Sequence, residues 1–521
     1  MNAFVTRHSD IVTGTLTGLD RLVLRGTLRQ IAYAAGLDKC LGVERVLLKE
    51  FGKFAEGMTD RLVTKTEGIS KRLGRPLVYL PSPKVEKEDC ALSIAKRDGI
   101  TKGLICILKS VEPCQTFDIR KDRATGHIEL VSKERKCSFF YHYLFHPRFG
   151  FMNVRIQSWL PFTIQLCVNG REMLALQMDR ARLQYERADN TFTWLQDPAR
   201  AQRLMDRQLA WDLEAELERL ARAVCPTYPR LFQRFEVRYH WTVYQSEVAT
   251  DVMFGSAAEL QRLYRPLVRT AISTFGSTDV IRFLGQRHAN SNGAIRADFN
   301  GEVTSDYKER PEGVRVKHAV NGNSVKVYDK AGSVLRTETT INDPRDFRVV
   351  RPKEGGKPND LKRRYLRRSV EDLPRRVQTS IGCNSRYLDA LGAIDVDRPL
   401  SDLTRELAQP AVLGKARARG LNPHRPDDEQ LLRVVNRGDF VLNGFRNADI
   451  KASLHTTTDD PRLRRRQTAN VARRIRLLRI HGLVEREAGS HRYHVTTNGR
   501  AVLTAVLNAL DADARRLIAA A

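Results

Sequence analysis

The chain has 521 residues, and its 88 Lys+Arg against 61 Asp+Glu leave a formal net charge of +27. A content of 41% hydrophobic and 29% charged residues is globular and excludes a disordered or fibrous chain. The length exceeds what one core supports and suggests roughly three or four domains.

So large a positive excess attracts polyanions, of which DNA and RNA are the commonest. No run approaches the roughly 18 consecutive apolar residues of a membrane-spanning helix. The polar start, Met1 to Asp10, lacks the apolar core of a signal peptide, so a cytoplasmic location is expected. Eight scattered cysteines with no C-x-x-C pair read as buried small hydrophobes rather than a disulfide or zinc framework.

In chain order, residues 1–75 read as a mainly helical region, with Leu41, Val46, Leu47, Leu48, Phe51 and Phe54 near helical spacing. Leu77–Leu80, Glu86–Arg97 and Gly103–Lys109 read as strand, helix and strand, a parallel βαβ unit. Thr116–Arg120 and Ile128–Val131 flank a turn at Thr125-Gly126 and predict a hairpin. Further strands are expected at Cys137–Phe145, Phe151–Trp159 and Phe162–Val168. A long helical zone follows over 171–222, broken near Asn190 and Asp197-Pro198. Residues 76–235 are thus expected as a central α/β domain.

Residues 236–355 read as a second domain: strand-like residues to Phe254, a helix over Ala257–Phe275, then a β-meander. The meander comprises Val314–Val320, Ser324–Tyr328 and Val334–Ile341, with Asn321-Gly322 as the hairpin signal. Residues 356–426 read as a basic helical linker region.

Residues 427–521 form the most legible module. A helix over Asp427–Val435 precedes a short one that Asn447 can cap. Thr458-Asp459-Asp460 cap a long helix starting at Pro461, with Leu463, Val471, Ile475 and Leu478 inward and Gly482 as its stop. Two short strands around Ala488-Gly489-Ser490 follow. A final helix turns Val502, Val506, Leu510 and Leu517 inward. This is the order of a winged helix-turn-helix. LLRIHGLVEREAGSHRYHVTTNGRAVL resembles the wing and following helix of MarR-type domains, over about residues 430–520. The expected fold class is therefore α+β multidomain: a central mixed α/β domain and β-meander with a C-terminal winged helix-turn-helix domain.

Between Pro461 and Ile480 stand Arg462, Arg464, Arg465, Arg466, Arg473, Arg474, Arg476 and Arg479, and no acid. Such a helix suits phosphate contacts and bidentate guanine readout, with His491 and Arg492 reaching the backbone or minor groove. Winged helices also bind RNA, so DNA leads and RNA stays open. A second basic run holds Lys362, Arg363, Arg364, Arg367 and Arg368, with Arg375 and Arg376 beyond. It reads as a phosphate-binding helix with Tyr365 able to stack, or as a solvated linker.

No Walker A, H-E-x-x-H, G-x-S-x-G or kinase motif occurs. The best chemical candidate is NGNSVKVYDKAGSVLRTETTI. Strand alternation puts Lys326, Tyr328 and Lys330 on one face, and Arg336, Glu338 and Thr340 on one face of the next strand. Lys326, Tyr328, Arg336 and Glu338 are the candidate catalytic set, with Glu338 as a Mg²⁺ ligand if the protein is a nuclease. Cross-strand structural pairing is the competing role.

Two further acid pairs are candidates to join Glu338: Glu247 and Asp251 on one helical face, and Glu302 and Asp306 on one strand face. The hairpin resembles the K-x-Y-x-K…L-R-x-E segment of rolling-circle replication initiators. That family's His-hydrophobe-His motif is missing; His142 and His146, the nearest substitute, sit too far apart on a strand for one metal. The aromatic run Phe139–Phe145, with Phe149, Phe151 and Trp159 and interleaved Arg148 and Arg155, reads as core before base-stacking surface. The phrases GFMNVRIQSWLPF and NGNSVKVYDK resemble a bacterial family associated with mobile elements. Three functions are thus expected in order: a DNA-binding protein of a mobile or replicating element; a metal-dependent endonuclease, transposase or initiator; and an RNA-binding scaffold.

Overall fold

Val12–Leu28 forms a 17-residue strand, where the spacing of later residues had suggested helix. The segment is rich in Thr, Val and Gly, which disfavour helix, and its leucines are buried at Leu16, Leu22, Leu24 and Leu28. The helical spacing belongs to residues 34–43 and 48–73, which are helical, while Val46 and Leu47 lie in the segment between them. The computed structural model describes residues 3–512 except 83–84, 122–123, 229, 274, 286–298, 300, 311–312, 354, 358, 393–399, 415, 438–439, 441–443 and 488–489.

The first half runs α1 (Ala3–Arg7), β1 (Val12–Leu28), α2 (Ala34–Val43), α3 (Phe51–Leu73), β2 (Leu77–Tyr79), α4 (Lys87–Arg97), β3 (Gly103–Lys121), β4 (Ile128–His146), β5 (Gly150–Gln157) and β6 (Ile164–Asn169). Then come α5 (Gly170–Arg180), β7 (Tyr185–Ala188), β8 (Thr191–Leu195), α6 (Pro198–Arg207), α7 (Leu213–Val224), β9 (Tyr239–Phe254), α8 (Ala257–Ser273) and α9 (Ser277–Phe283). The four strands β10 (Val303–Arg310), β11 (Gly313–Val320), β12 (Asn323–Lys330) and β13 (Val334–Ile341) follow.

Eleven of these strands form one sheet in the order β10-β11-β12-β13-β9-β1-β6-β5-β4-β3-β2. Neighbours are antiparallel except β2 and β3, the parallel pair expected of the βαβ unit. The expected boundary at 235/236 therefore lies inside a single sheet, and β9 joins the two halves by pairing with both β1 and β13. The expected helical zone over 171–222 contains the β7–β8 hairpin between α5 and α6.

One face of the sheet is covered by α2, α3 and α7 over its centre and by α8, α9 and the end of α10 (Leu373–Gly392) over β9–β13. On the opposite face, α5, α6 and β8 cover Leu16, Met253 and Val334, while α4 covers β3 and β4 at the far end. The stretch between these two coverings is polar. Phe139, Phe140, Tyr143 and Phe149 are buried, which is the core role.

The region 356–426 is not a helical linker. Its basic run starts as β15 (Lys362–Tyr365), paired with β14 (Arg348–Arg351). α10 packs on the sheet, where Arg376 is fully buried and donates to Ser246 Oγ at 2.7 Å and to the Ile341 carbonyl. α11 (Leu400–Ala408) sends Leu403 and Leu407 into the core of the C-terminal unit, which thus begins before residue 427. Beyond the β16 (Ala411–Leu413) and β17 (Ala416–Ala418) hairpin, that unit contains α12 (Pro426–Val435), α13 (Asn447–Leu454), α14 (Pro461–Ile480), β18 (Val484–Arg486), β19 (Tyr493–Val495) and α15 (Thr497–Asp511).

Val471, Ile475 and Leu478 face its core as expected, whereas Leu463 is 42% exposed because α14 projects its first turns beyond the core. Arg446, rather than Asn447, is the N-cap of α13. Gly482, at φ +70°, ends the α14 segment in the left-handed region that glycine tolerates. Leu517 and the turn at 488–489 lie outside the described residues. No described helix is long and apolar enough to cross a membrane.

Candidate functional site

Under the α5–α6 layer, the middle of the sheet holds a group of charged side chains drawn from distant parts of the chain. The register explains how they meet. On β12 and β13, Lys326 faces Glu338 and Tyr328 faces Arg336. One strand further, Arg336 faces Asp251 and Thr340 faces Glu247. β1 then contributes Asp20 through a bulge: Leu19 faces Val248 and Arg21 faces Glu247, so Asp20 is the extra residue between them. A bulge bends its strand and re-aims a side chain, here toward the other acids.

The next layer closes over this set. Asn169 caps α5 by accepting from the backbone N–H groups of Arg171 and Glu172. Gly170 follows, and a Cβ there would lie 2.1 Å from the Leu19 carbonyl oxygen, so only glycine lets α5 start against the bulge. That approach delivers Arg171 to Asp251, Nη2 to Oδ2 at 3.0 Å, with both side chains fully buried. The β7–β8 turn docks beside it. Asp189 accepts from Lys330 Nζ at 2.8 Å, and Asn190 Nδ2 donates to Asp20 Oδ1 at 3.2 Å.

Arg336 is the hub. Its Nε and Nη2 donate to the two oxygens of Asp251 at 2.6 and 2.9 Å, Nη1 donates to Asp20 at 3.3 Å, and Nη2 also reaches the Asn190 carbonyl at 3.0 Å. Such bidentate geometry is the strongest form of a guanidinium–carboxylate pair. Glu338 is 1% exposed, accepts from the Tyr328 hydroxyl at 2.8 Å and has Lys326 Nζ 2.6 Å from its other oxygen.

One oxygen each from Asp20, Glu247 and Glu338 lies within 4.8 Å of the others. Three carboxylate oxygens at this separation form a hard-donor set suited to Mg²⁺ or Mn²⁺. Asp20 and Glu338 are buried, while Glu247, Lys326 and Tyr328 are partly exposed, so the set opens on their side. Beside it lies a cleft of about 830 Å³ lined by Arg21, Asn153, Arg155, Gln165 and Asn169 and, from its walls, by Glu88, Glu112 and Glu172, with Arg155 paired to Glu112 at 2.7 Å. Arg21 links the two, being next to Asp20 and facing Glu247.

Burial pushes the Asp20 carboxyl up, and Arg336 offsets this only in part. Burial, with Glu338 adding its negative charge, pushes Glu247 up to about 7. Burial acts to raise Asp251 too, but Arg336 and Arg171 outweigh it and hold the group below the usual range. Burial opposes the charge of Arg336, yet Asp251 and Asp20 keep it well above its ordinary value. Burial, then the Glu338 charge, raises the Tyr328 hydroxyl. These directions separate the acids into roles: Asp251 is a framework anion, whereas Asp20 and Glu247 are held toward the neutral form because no cation fully offsets their burial.

The expected set Lys326, Tyr328, Arg336 and Glu338 thus lies together, as strand alternation predicted. Glu247 and Asp251 do share a face with it, but on β9 rather than on a helix. Glu302 and Asp306 do not join it: Asp306, on β10, pairs with Arg315 at 3.1 Å. His142 is buried, and His146 pairs with Glu216 at 2.9 Å. Asp20, Arg171 and Asn190 escaped notice. Asp20 interrupts the Thr/Gly/Leu alternation of β1, the one local signal that marked it.

The expected nucleic-acid contacts fall into two groups. On α14, Arg462, Arg464, Arg465, Arg466, Arg473 and Arg476 are exposed. Among the described residues none of these six has a carboxylate within ion-pair distance; Arg474 pairs with Asp427 at 3.4 Å, and Arg479 is half-buried. His491 is exposed next to Arg492, which donates to the Gly444 carbonyl. In the second run, Asp360 takes Lys362 and Arg364, both at 3.3 Å, and Asp372 takes Arg367 at 3.0 Å. Arg368 donates to the Asn342 carbonyl, while Arg363 is exposed.

The raised Glu247 carboxyl sets a pH dependence. Its folded-state value of about 7 exceeds its ordinary 4.5, so its contribution to stability is fully present below 4.5 and is lost as pH rises through 7. In urea unfolding across pH, wild type should therefore lose stability relative to Glu247→Gln over that window; parallel profiles would contradict the assignment.

No protein-family model matches this chain, and neither a curated protein nor a solved structure matches it significantly.

Proposed function

We propose that the chain is a DNA-binding protein whose C-terminal unit acts as a winged helix-turn-helix. In this reading α14 is the recognition helix and the β18–β19 ribbon is the wing. The bare arginine face of α14 carries the proposal. Exposed like charges repel one another at helical spacing, and a phosphate backbone relieves that repulsion while releasing counterions. The element order α12, α13, α14, ribbon, α15 supports it, as does the +27 charge. The association with a mobile or replicating element rests on the sequence phrases in β5 and β12.

Fluorescence anisotropy with a labelled duplex tests this. Affinity should fall steeply with salt, and Arg465→Ala/Arg466→Ala should weaken binding and reduce the log–log salt slope by about 2. A flat salt response, or tighter binding to an RNA competitor, would overturn the DNA reading.

The carboxylate group favours a second reading, metal-dependent cleavage of a phosphodiester. Asp20, Glu247 and Glu338 would hold a divalent cation, which when bound supplies Lewis-acid activation at a phosphoryl oxygen. Lys326 stands where it can neutralise charge on the phosphate. Tyr328 keeps its proton and orients Glu338 by donating to it. Arg336 and Arg171 fix the framework from behind, so neither is spent on substrate. The adjacent cleft, with Arg21 at its rim, is the place for the strand being cut.

Supercoiled plasmid incubated with Mn²⁺ or Mg²⁺ provides the assay. Nicking should need the cation and fall by at least about 100-fold in Glu338→Gln, the scale expected when one charge-stabilising group is removed. Cleavage that survives this substitution would dispose of the site.

A further inference from the structure

Beyond the exposed first turns of α14, its second half closes one side of a separate cleft of about 400 Å³, with β17 and the start of α12 on the other. Five guanidinium groups line it: Arg417, Arg419, Arg473, Arg474 and Arg476. The cleft holds two carboxylates, and both are engaged. Asp428 is 2% exposed and takes Arg419 bidentately at 2.6 and 2.7 Å, while also accepting from the Asn422 backbone N–H. Asp427 lies 3.4 Å from Arg474.

Arg417, Arg473 and Arg476 are exposed, and among the described residues they have no carboxylate partner. The hairpin that supplies Arg417 is fixed to α14, since His481 Nε2 lies 2.8 Å from the Arg419 carbonyl oxygen. Three uncompensated charges are thus set in a concave site by two that are already paired.

We propose that this cleft binds the phosphates of a polyphosphate anion, with Arg417, Arg473 and Arg476 as its ligands. Guanidinium forks match phosphate oxygens bidentately and cannot be deprotonated, so a dense phosphate chain is the anion this geometry answers best. The chemistry has two possible sources, a free polyphosphate such as a nucleotide tail and the backbone of bound DNA. The free-anion source stands without the duplex-DNA reading, whereas the backbone source rests on it, because Arg473 and Arg476 belong to the same arginine face of α14.

The test uses the full chain and two substitution pairs, Arg417→Ala/Arg476→Ala in the cleft and Arg462→Ala/Arg465→Ala at the helix start. Calorimetry with inorganic triphosphate reads the free-anion source, and anisotropy with a duplex reads the backbone source. Circular dichroism checks that each variant is folded, and Arg417→Lys/Arg476→Lys, which keeps charge without the fork, replaces any variant that is not.

A free anion is the source if triphosphate binds one per chain and the cleft pair weakens it by about tenfold while the helix-start pair leaves it within about twofold. Backbone phosphate is the source if triphosphate does not saturate and the cleft pair instead weakens duplex binding by about tenfold. The proposal is overturned if the cleft pair changes neither ligand, or if both pairs weaken triphosphate equally, as diffuse attraction would. Loss of duplex binding in the helix-start pair alone, with triphosphate binding unchanged in the cleft pair, upholds the DNA reading and removes this one.

Discussion

Arg336 is fully buried in an eleven-stranded sheet and holds two carboxylates from the strands beyond its own, Asp251 across one strand boundary and Asp20 across two. Removing one partner from a buried ion pair costs about 3–5 kcal/mol, because the remaining charge is left without compensation in a medium of low polarity. That constraint fixes much else. It requires β13 beside β9 and β9 beside β1, in the register observed. It requires the bulge that turns Asp20 inward, and the β7–β8 turn that gives Asp20 and Arg336 their remaining hydrogen bonds through Asn190.

Apolar side chains of similar volume often stabilise a core as well as or better than a buried ion network. The retention of Asp20, Asp251, Glu338, Arg171 and Arg336 in the same layer therefore asks for a reason beyond folding. The two arginines satisfy Asp251, Arg336 reaches Asp20 at 3.3 Å, and Glu338 is left with Lys326 as its ion-pair partner. Three acids that share one ammonium and one arm of a guanidinium form an arrangement that a divalent cation would complete. The polar cleft at Arg21 gives that group an approach.

The hairpin β12–β13 was legible because period-two alternation and an Asn-Gly turn specify both the strands and which side chains share a face. Its four candidate residues lie together for that local reason. Asp20 shows locally only as a break in the alternation of β1, because its role depends on a pairing with β9 more than 200 residues away, which leaves no local pattern. β1 itself went unrecognised because leucines at strand spacing sat beside true helices. Leu463 shows the limit of helical periodicity. Its spacing fits the inner face of α14, but the helix outruns its core there. Arg376 shows the limit of counting charge, since a residue in a basic run is buried under the sheet. The acid-free helix was legible in full, because all that marks it is the absence of Asp and Glu over 20 residues.

Diffraction from crystals grown with Mn²⁺, recorded where manganese scatters anomalously, tests the central claim most directly. A peak about 2.0–2.6 Å from carboxylate oxygens of Asp20, Glu247 and Glu338 is expected, with the Lys326 ammonium moved off Glu338. A saturated crystal with no peak there, and with Lys326 still seated on Glu338, would contradict it and leave the network a structural one.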